Sequence, residues 1–468
     1  MAIAPNASEL QTAAEPADGA DQPWPSEKWG FYALFCIVFA TFITFFDQTV
    51  FSMLAEKMKG SFGITDSTLG FVLGPVSLIA YVIVGIPLAR LVDIYPRKWV
   101  LSIGIAALGS IMALGGLAQN LGQLIGTRLF VGASSSANGP GSYSMLLDYF
   151  RPMRIPLVFA LLQLGYIGGS SVGNILGGQM IAWTSTMPAT IDFLGLRIFS
   201  WQLVLIMVGT PGLLAALFFV FLKEPPRRSP AGSHQLVAKD ASPGRKFAAF
   251  MGWDAAKAIW ERKYVFVPLF AALALSAVES QGLPSWRIPF MARTYGWNEA
   301  ETGALLGTLM LVSMLAGIFA GGVFVTWMGK RYKDANIRAT AIIFTCTTIV
   351  TVATPLMPTG ELAVAMMAAG VFFGLAGAPA QNAAVQRIVP NEKRGQVSAL
   401  YLFMFTFFGG MGSWVIGAVS TYIVGDEQKL WEAILITACI FLPTATFFMW
   451  HGIRPYRQEV ERLEALGL

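Results

Sequence analysis

Long apolar stretches alternate with short polar loops along almost the whole chain. Twelve of these stretches have about the 20 residues that a helix needs to cross roughly 30 Å of hydrocarbon. We number them spans 1 to 12, and they cover residues 30–55, 68–91, 98–118, 122–147, 156–183, 200–222, 264–293, 302–328, 336–356, 361–386, 396–424 and 429–452. The pattern predicts an all-α membrane protein with twelve transmembrane helices.

Composition indicates the same class of protein. Hydrophobic residues make up 55% of the chain, charged residues only 13%, and the mean hydropathy is +0.60. This is more apolar surface than a soluble fold of 468 residues can bury. Cys36, Cys346 and Cys439 lie in apolar spans without disulfide or metal-ligand spacing, so we expect packing roles for them and neither a metal nor a cofactor.

The distribution of Lys and Arg orients the spans. With both termini in the cytoplasm, 25 of the 32 Lys and Arg residues fall in cytoplasmic segments and five on the outer side. Cytoplasmic loops characteristically collect positive charge. We therefore expect a multi-pass protein of the cell (inner) membrane with cytoplasmic termini, and the net charge of +5 gives no support to a nucleic-acid partner.

The second half of the chain repeats the first. The end of span 2 contains Asp93, Arg97 and Lys98, and 233 residues later the end of span 8 carries a basic pair, Lys330 and Arg331, at the same offset. The repeat predicts two six-helix bundles. The predicted organisation is a disordered cytoplasmic tail (1–29), an N-terminal bundle (30–222), a cytoplasmic linker with an interfacial helix (223–263), a C-terminal bundle (264–452) and a cytoplasmic tail (453–468).

Four ionisable residues lie inside apolar spans and away from the span ends: Asp47, Arg128, Glu279 and Arg287. A charge at bilayer depth costs roughly 2.5–3.5 kcal/mol even on lenient insertion scales, so such residues usually face one another, a substrate or an ion. Asp47 and Arg128 suit a pair that a proton or an anion competes for, or else a static ion pair joining spans 1 and 4. The placement predicts a transport pathway.

Span 7 carries Glu279, Trp286 and Arg287 together with helix-disrupting residues. Gly282, Pro284 and Pro289 predict an interrupted helix, a recurrent feature of transporter binding sites. We expect Glu279 to be a second proton-coupling acid and Arg287 and Trp286 to bind substrate. The alternative for Arg287 is a position near the membrane edge, where its guanidinium reaches the headgroups.

Several motifs resemble those of a known family. The loop after span 2 is similar to the signature of the major facilitator superfamily, with Asp93, Arg97 and Lys98 in matching positions. Phe-Phe-Asp47-Gln-Thr and Thr-Arg128-Leu-Phe-Val-Gly132 look most like Spinster-type transporters, as do Gly282-x-x-x-Trp286-x-x-Pro289 and Ala378-Pro-Ala-Gln381. Two charges of the family pattern are missing, because Gln48 and Ser135 stand in their places.

The resemblance implies a fold of two pseudo-symmetric bundles whose spans 1, 4, 7 and 10 line a central cavity. It also implies that a conformational switch operates at the ends of spans 2 and 8, formed by Asp93, Arg97, Lys98, Lys330 and Arg331. Phe45 on the Phe-rich face of span 1 is a predicted substrate contact. Ser135, Gln163 and Gln381 are predicted neutral hydrogen-bond partners, or merely packing residues.

Span 5 has a glycine every fourth residue, at Gly165, Gly169, Gly173 and Gly177. Such a stripe allows helices to pack closely. It also resembles the antiporter signature of drug exporters, except that Asn174 replaces a proline. We expect the stripe to serve mainly close packing.

These observations predict a monomeric secondary active transporter that moves an organic anion or anionic amphiphile by alternating access, coupled to protons. A transporter of lysophospholipids or sphingolipids, a drug/proton antiporter and a membrane receptor are the alternatives. An enzyme is not expected, because the two histidines, His234 and His451, accompany no nucleophile or metal-ligand cluster.

Overall fold

The computed structural model describes residues 24–136, 138–193, 195–227, 259–389 and 394–465. Within these ranges, eleven helices are long and apolar enough to cross a membrane. The predicted span 4 folds instead as two consecutive helices, Leu121–Ser135 and Asn138–Tyr149, and these complete the twelve-span architecture. The second of these helices begins with Asn138-Gly-Pro-Gly141, whose glycines and proline weaken a helix and disfavour one continuous span.

The other N-terminal spans keep the predicted order. They are span 1, Glu27–Met53; span 2, Asp66–Leu73 and Pro75–Ile94; span 3, Arg97–Gly115; span 5, Ile155–Ser185; and span 6, Gln202–Val220. A short helix, Ala55–Phe62, follows span 1. The loop between spans 5 and 6 holds an antiparallel hairpin of β1, Thr190–Phe193, and β2, Leu196–Phe199, which the hydropathy pattern did not predict.

The C-terminal spans follow the same plan. They are span 7, Lys263–Gly282 and Arg287–Tyr295; span 8, Glu299–Gly329; span 9, Ala335–Ala353; span 10, Gly360–Arg387; span 11, Arg394–Ala418; and span 12, Leu430–His451. Span 11 continues as a π-helical turn over Val419–Val424. Asn298 and Thr359 begin spans 8 and 10 by accepting hydrogen bonds from backbone N–H groups of the first turn.

The described parts of the tails add one element to the predicted organisation. Residues 1–23 of the predicted disordered tail and most of the predicted interfacial helix of the linker lie outside the described residues. The predicted C-terminal tail forms a helix, Ile453–Ala465, which buries Ile453, Tyr456 and Val460 in the apolar core of the second half. This helix therefore extends the C-terminal bundle.

Small residues let the helices within a bundle approach closely. The glycine stripe of span 5 faces span 1, and a Cβ atom at Gly169 would overlap the carbonyl oxygen of Phe42. Span 4 lies against span 2 in the same way, because a Cβ atom at Gly132 would overlap the carbonyl oxygen of Ser77. The predicted packing role of the glycine stripe is confirmed.

The two halves meet through spans 2 and 11 and through spans 5 and 8. A Cβ atom at Gly70 of span 2 would overlap the carbonyl oxygen of Ser413, and one at Gly303 of span 8 would overlap that of Asn174. Span 8 repeats span 2 and span 11 repeats span 5, so the two contacts are equivalent under the internal repeat. Both contacts lie toward the face opposite the linker, which we call the distal face.

Candidate transport pathway

Asp47 of span 1 and Arg128 of span 4 meet as the sequence predicts. Arg128 Nη1 lies 3.2 Å from Asp47 Oδ2. The two residues are only 1% and 2% exposed, so the pair is withdrawn from solvent. The guanidinium of Arg128 also stacks over the ring of Phe51, with 3.7 Å between its Cζ atom and the ring centroid.

This buried pair is incompletely hydrogen-bonded. Among the described residues, Asp47 Oδ1, Arg128 Nε and Arg128 Nη2 have no hydrogen-bond partner. A buried ion pair offsets its desolvation cost of several kcal/mol per ion only when its remaining donors and acceptors are also satisfied. The ion pair therefore favours a proton or an anion that satisfies its unpaired donors and acceptors. Ser77 Oγ of span 2 donates to the backbone carbonyl of Arg128 at 3.1 Å and so joins span 4 to span 2 at this position.

Span 7 is interrupted where glycine and proline predict it. A 3₁₀ turn, Leu283–Trp286, separates its two helices. Glu279 lies before the turn, is only 2% exposed and stands beside Thr437 of span 12. Neither of its carboxyl oxygens has a hydrogen-bond partner among the described residues. Glu279 thus lies within the C-terminal bundle, whereas a regular helix would have placed it on the wall with Trp286.

Arg287 lies directly after the turn and interacts with groups of both halves. Its Nη1 points at Met310 Sδ of span 8, 3.4 Å away, and its Nε has no partner among the described residues. Tyr166 of span 5 interacts electrostatically with it. The Tyr166 ring packs edge-on against Phe45, with 4.4 Å between centroids. We call Phe45, Tyr166, Arg287 and Met310 the aromatic–arginine cluster.

Trp286 has a different position from the one expected. Its side chain is 0% exposed, and its indole Nε1 donates to the Ser413 carbonyl at 2.9 Å. In this conformation the ring packs between spans 7 and 11 and offers no surface to a substrate. The expectation assumed a regular helix, and the 3₁₀ turn changes the direction of the side chain.

The neutral residues singled out in the sequence do not converge on one point. Ser135 Oγ donates to the carbonyl of Val131 in its own helix, at 2.8 Å. Gln163 is exposed on span 5, and Gln381 is half-buried on span 10 beside Gly377. Sequence reasoning missed Tyr166, whose signal was its position one residue after Gly165 of the stripe, on the side that faces the other half.

Of the predicted switch residues, Arg97 and Lys98 lie in a network near the linker. Arg97 is 1% exposed, its Nε donates to Glu224 Oε1 at 2.9 Å and its Nη1 to Asp148. The backbone N–H of Lys98 donates to Glu224 Oε2 at 3.0 Å. The side chain of Asp93 lies outside the described ones. Arg97 therefore joins spans 3 and 4 to the start of the linker.

In the second half the equivalent basic pair is not at the centre of a network. The Arg331 guanidinium stacks over Trp327, 4.6 Å from its centroid, and Lys330 is exposed. Asp334 has the central position instead, 3.1 Å from Arg338 and 2.7 Å from Arg457 of the C-terminal helix. Burial raises the pKa of Asp334, but hydrogen bonds from Arg338 and Arg457 outweigh it and hold the pKa below its usual range.

A cluster of charges on the distal face joins the two halves, and sequence reasoning did not find it. Arg293 of span 7 lies 2.6 Å from Asp66 of span 2 and 2.6 Å from Glu56. Lys59 lies 2.7 Å from Asp66 and 2.6 Å from Glu427 of the second half. We call these five residues the distal cluster. Sequence alone shows them as scattered charges near loops.

The ion pairs that join the halves within the described ranges all lie on the distal face, where Lys57 and Glu299 add one at 3.6 Å. Those on the linker side, such as Arg97 with Asp148 and Arg338 with Asp334, stay within one half. The bundles are therefore closed at the distal face.

The chain is similar to several known proteins. It is 25% identical to an MFS-type efflux pump of Mycolicibacterium smegmatis over 96% of this chain and 98% of that protein. It is 24% identical to the gallate transporter of Pseudomonas putida, covering 81% and 83% of the two chains. Protein spinster of Drosophila melanogaster is 22% identical over 86% of this chain and 63% of that protein.

The fold is that of a solved relative of Spinster. The crystal structure of a bacterial homologue of the human lysosomal transporter Spinster, in an inward-facing and unoccupied conformation, superposes with a TM-score of 0.73 at 21% identity, covering 93% of this chain and 98% of that one. Residues 37–413 match the Major Facilitator Superfamily. The expected resemblance and fold class are confirmed, and the chain belongs to the Major Facilitator Superfamily of membrane transporters.

Proposed function

We propose that this protein is a proton-coupled secondary active transporter of an organic anion with an aromatic or apolar body. The observation that carries the proposal is the buried, incompletely satisfied pair of Asp47 and Arg128. A proton on Asp47 removes the negative partner of Arg128. The guanidinium then attracts a substrate anion, and loss of the proton restores the pair and releases the anion.

Alternating access exposes the Asp47–Arg128 pair to one side of the membrane at a time. The bundles are closed at the distal face, so a proton that reaches or leaves the buried Asp47–Arg128 pair from this conformation does so on the linker side. Opening of the distal cluster and closure near the linker transfers the pair to the other side. The free energy that drives substrate movement then comes from the proton electrochemical gradient, to which Asp47 couples transport by taking up a proton on one side of the membrane and releasing it on the other.

The aromatic–arginine cluster supports a specific substrate class. Arg287 Nε has no partner among the described residues, Tyr166 interacts electrostatically with Arg287, and the Phe45 ring packs against that of Tyr166. A guanidinium recognises a carboxylate geometrically, and aromatic rings pack well against a flat apolar body. An aromatic carboxylate fits both features, and the relative named as a gallate transporter favours the same class.

We expect Arg287→Ala to weaken binding of an aromatic carboxylate by well over tenfold. Truncating a buried charge partner typically costs about 2–5 kcal/mol, because the anion is left in a desolvated site without its cation. Gallate and a panel of benzoate analogues, titrated onto the purified protein by calorimetry, measure the effect. Arg197→Ala, which removes an exposed arginine of the β-hairpin, is the matched control. Equal affinity in both variants would remove Arg287 from the binding site.

Drug export is the second candidate function, favoured by the relative named as an efflux pump, which this chain matches over 96% of its length. Exported drugs are frequently cations or neutral amphiphiles, and these do not need Arg287. Binding of a cationic dye that is unchanged by Arg287→Ala, together with no binding of the carboxylate panel, would establish this function in place of the first.

We also propose that the protein is a monomer of the inner membrane with its termini and linker in the cytoplasm. In a Cys-free background, a single cysteine at His234 in the linker should resist an impermeant thiol reagent in intact cells. One at Gly60, on the distal side, should react, because the 25-to-5 split of basic residues places that side outside. Equal labelling at the two positions would contradict the orientation.

A further inference from the structure

Glu279 occupies a buried position that the transport proposal does not explain. It is only 2% exposed, and neither carboxyl oxygen has a hydrogen-bond partner among the described residues. A buried ionised carboxylate needs an opposite charge or several hydrogen-bond donors. The groups around Glu279 show which protonation state they suit.

The polar neighbour of Glu279 is Thr437 of span 12. The Thr437 hydroxyl already donates its hydrogen toward the carbonyls of Ala433 and Ile434, at 2.9 and 3.0 Å. A hydroxyl has one hydrogen to donate and two lone pairs that accept. Thr437 therefore offers Glu279 an acceptor, which suits a protonated carboxyl group and does not suit a carboxylate.

The charged side chain that acts on Glu279 is Arg287, on the other side of the 3₁₀ turn. The two residues form no ion pair within the described part of the chain, since Arg287 directs its Nη1 at Met310. Span 11, which packs on the same stretch of span 7, presents the backbone of Gly412 there. Among the described residues Glu279 thus has no cation in ion-pair distance, whereas Asp47 has Arg128 at 3.2 Å.

We propose that Glu279 is a second proton-binding site, which lies inside the C-terminal bundle, holds its proton in this conformation, and is separate from the Asp47–Arg128 pair. The proton is held on a carboxyl oxygen, and Thr437 Oγ1 is the nearby acceptor. The turn at Leu283–Trp286 follows Glu279 by one helical turn, so a rearrangement of span 7 during transport changes the surroundings of the acid. The role of this proton in the cycle rests on the proposed function, but its presence does not.

Infrared spectroscopy of the protein in phosphatidylcholine vesicles tests the site without a substrate. A protonated carboxyl group gives a C=O stretching band that shifts when H₂O is exchanged for D₂O. We expect this band in the native protein at neutral pH, its loss in Glu279→Gln, and its retention in Asp47→Asn. Glu361→Gln, which removes an exposed acid at the start of span 10, is the matched control and should keep the band.

The unfolding temperature of Glu279→Gln and the band frequency of Thr437→Val provide two further tests. Glu279→Gln should unfold at the temperature of the native protein, because glutamine is close in shape to a neutral carboxyl group. Thr437→Val should shift the frequency of the band, since it removes the acceptor, and this arm stands even where Glu279→Gln fails to fold. Absence of the band at neutral pH would overturn the proposal. Loss of the band in Asp47→Asn, with its retention in Glu279→Gln, would also overturn it, and that result would leave proton coupling through Asp47 intact.

Discussion

Asp47→Asn is expected to abolish transport driven by a pH gradient. Asparagine nearly matches aspartate in shape but cannot take up or release a proton, so protonation can no longer make and break the ion pair with Arg128. The pair is buried, with exposures of 1% and 2%, so Arg128 is left in a desolvated site without its negative partner. Substrate uptake into proteoliposomes, with the gradient imposed across the membrane, measures the loss.

Binding separates a coupling role from a structural one. If Asp47 carries the proton, equilibrium binding of an aromatic carboxylate such as gallate should stay within about tenfold of the native affinity, which corresponds to roughly 1.4 kcal/mol. A static ion pair would instead lose stability and binding together. Asp192→Asn, in the exposed β-hairpin, controls for the change of charge. Gradient-driven uptake by Asp47→Asn at the native rate would contradict the assignment.

The membrane spans and the central ion pair could be predicted because their signals are local or have few partners. Hydropathy reports transfer of each segment into the bilayer and requires no knowledge of neighbouring helices. Arg128 was the one cation deep within a span of the predicted N-terminal bundle, so it was the expected partner of Asp47. The break in span 7 followed from Gly282, Pro284 and Pro289, residues that weaken a helix wherever it packs.

Other features depend on tertiary structure that no local pattern encodes. The direction of Trp286 depends on how the 3₁₀ turn rotates one helix relative to the next. Whether Glu279 faces the interior of the bundle or the transport pathway depends on where span 12 packs, and span 12 is more than 150 residues away in the sequence. The distal cluster joins Asp66 to Arg293 across 227 residues of sequence, and any acid near a loop was an equally good partner beforehand.

Arg293→Ala is expected to shift the conformational equilibrium toward a state open at the distal face. Asp66 is 0% exposed and has Arg293 at 2.6 Å and Lys59 at 2.7 Å. Removing one partner of a buried ion pair typically costs about 3–5 kcal/mol. Because Arg293 and Asp66 belong to different halves, the cost falls on the closed state.

A loss of about 3–5 kcal/mol from the closed state is large enough to decide whether the closed or the open state predominates. Moving an equilibrium from 1:99 to 99:1 takes about 5.5 kcal/mol, so a loss of 3–5 kcal/mol changes the ratio of the two states by more than a hundredfold. Spin labels on exposed cysteines introduced at Ala189 in the first half and Gln428 in the second report the opening as a longer distance by pulsed electron resonance. Arg197→Ala, on the same face but outside the cluster, should leave the distance distribution unchanged. If Arg293→Ala also leaves it unchanged, the distal cluster is not what holds the bundles together at this face, and the close glycine contacts at Gly70 and Gly303 must do so without it.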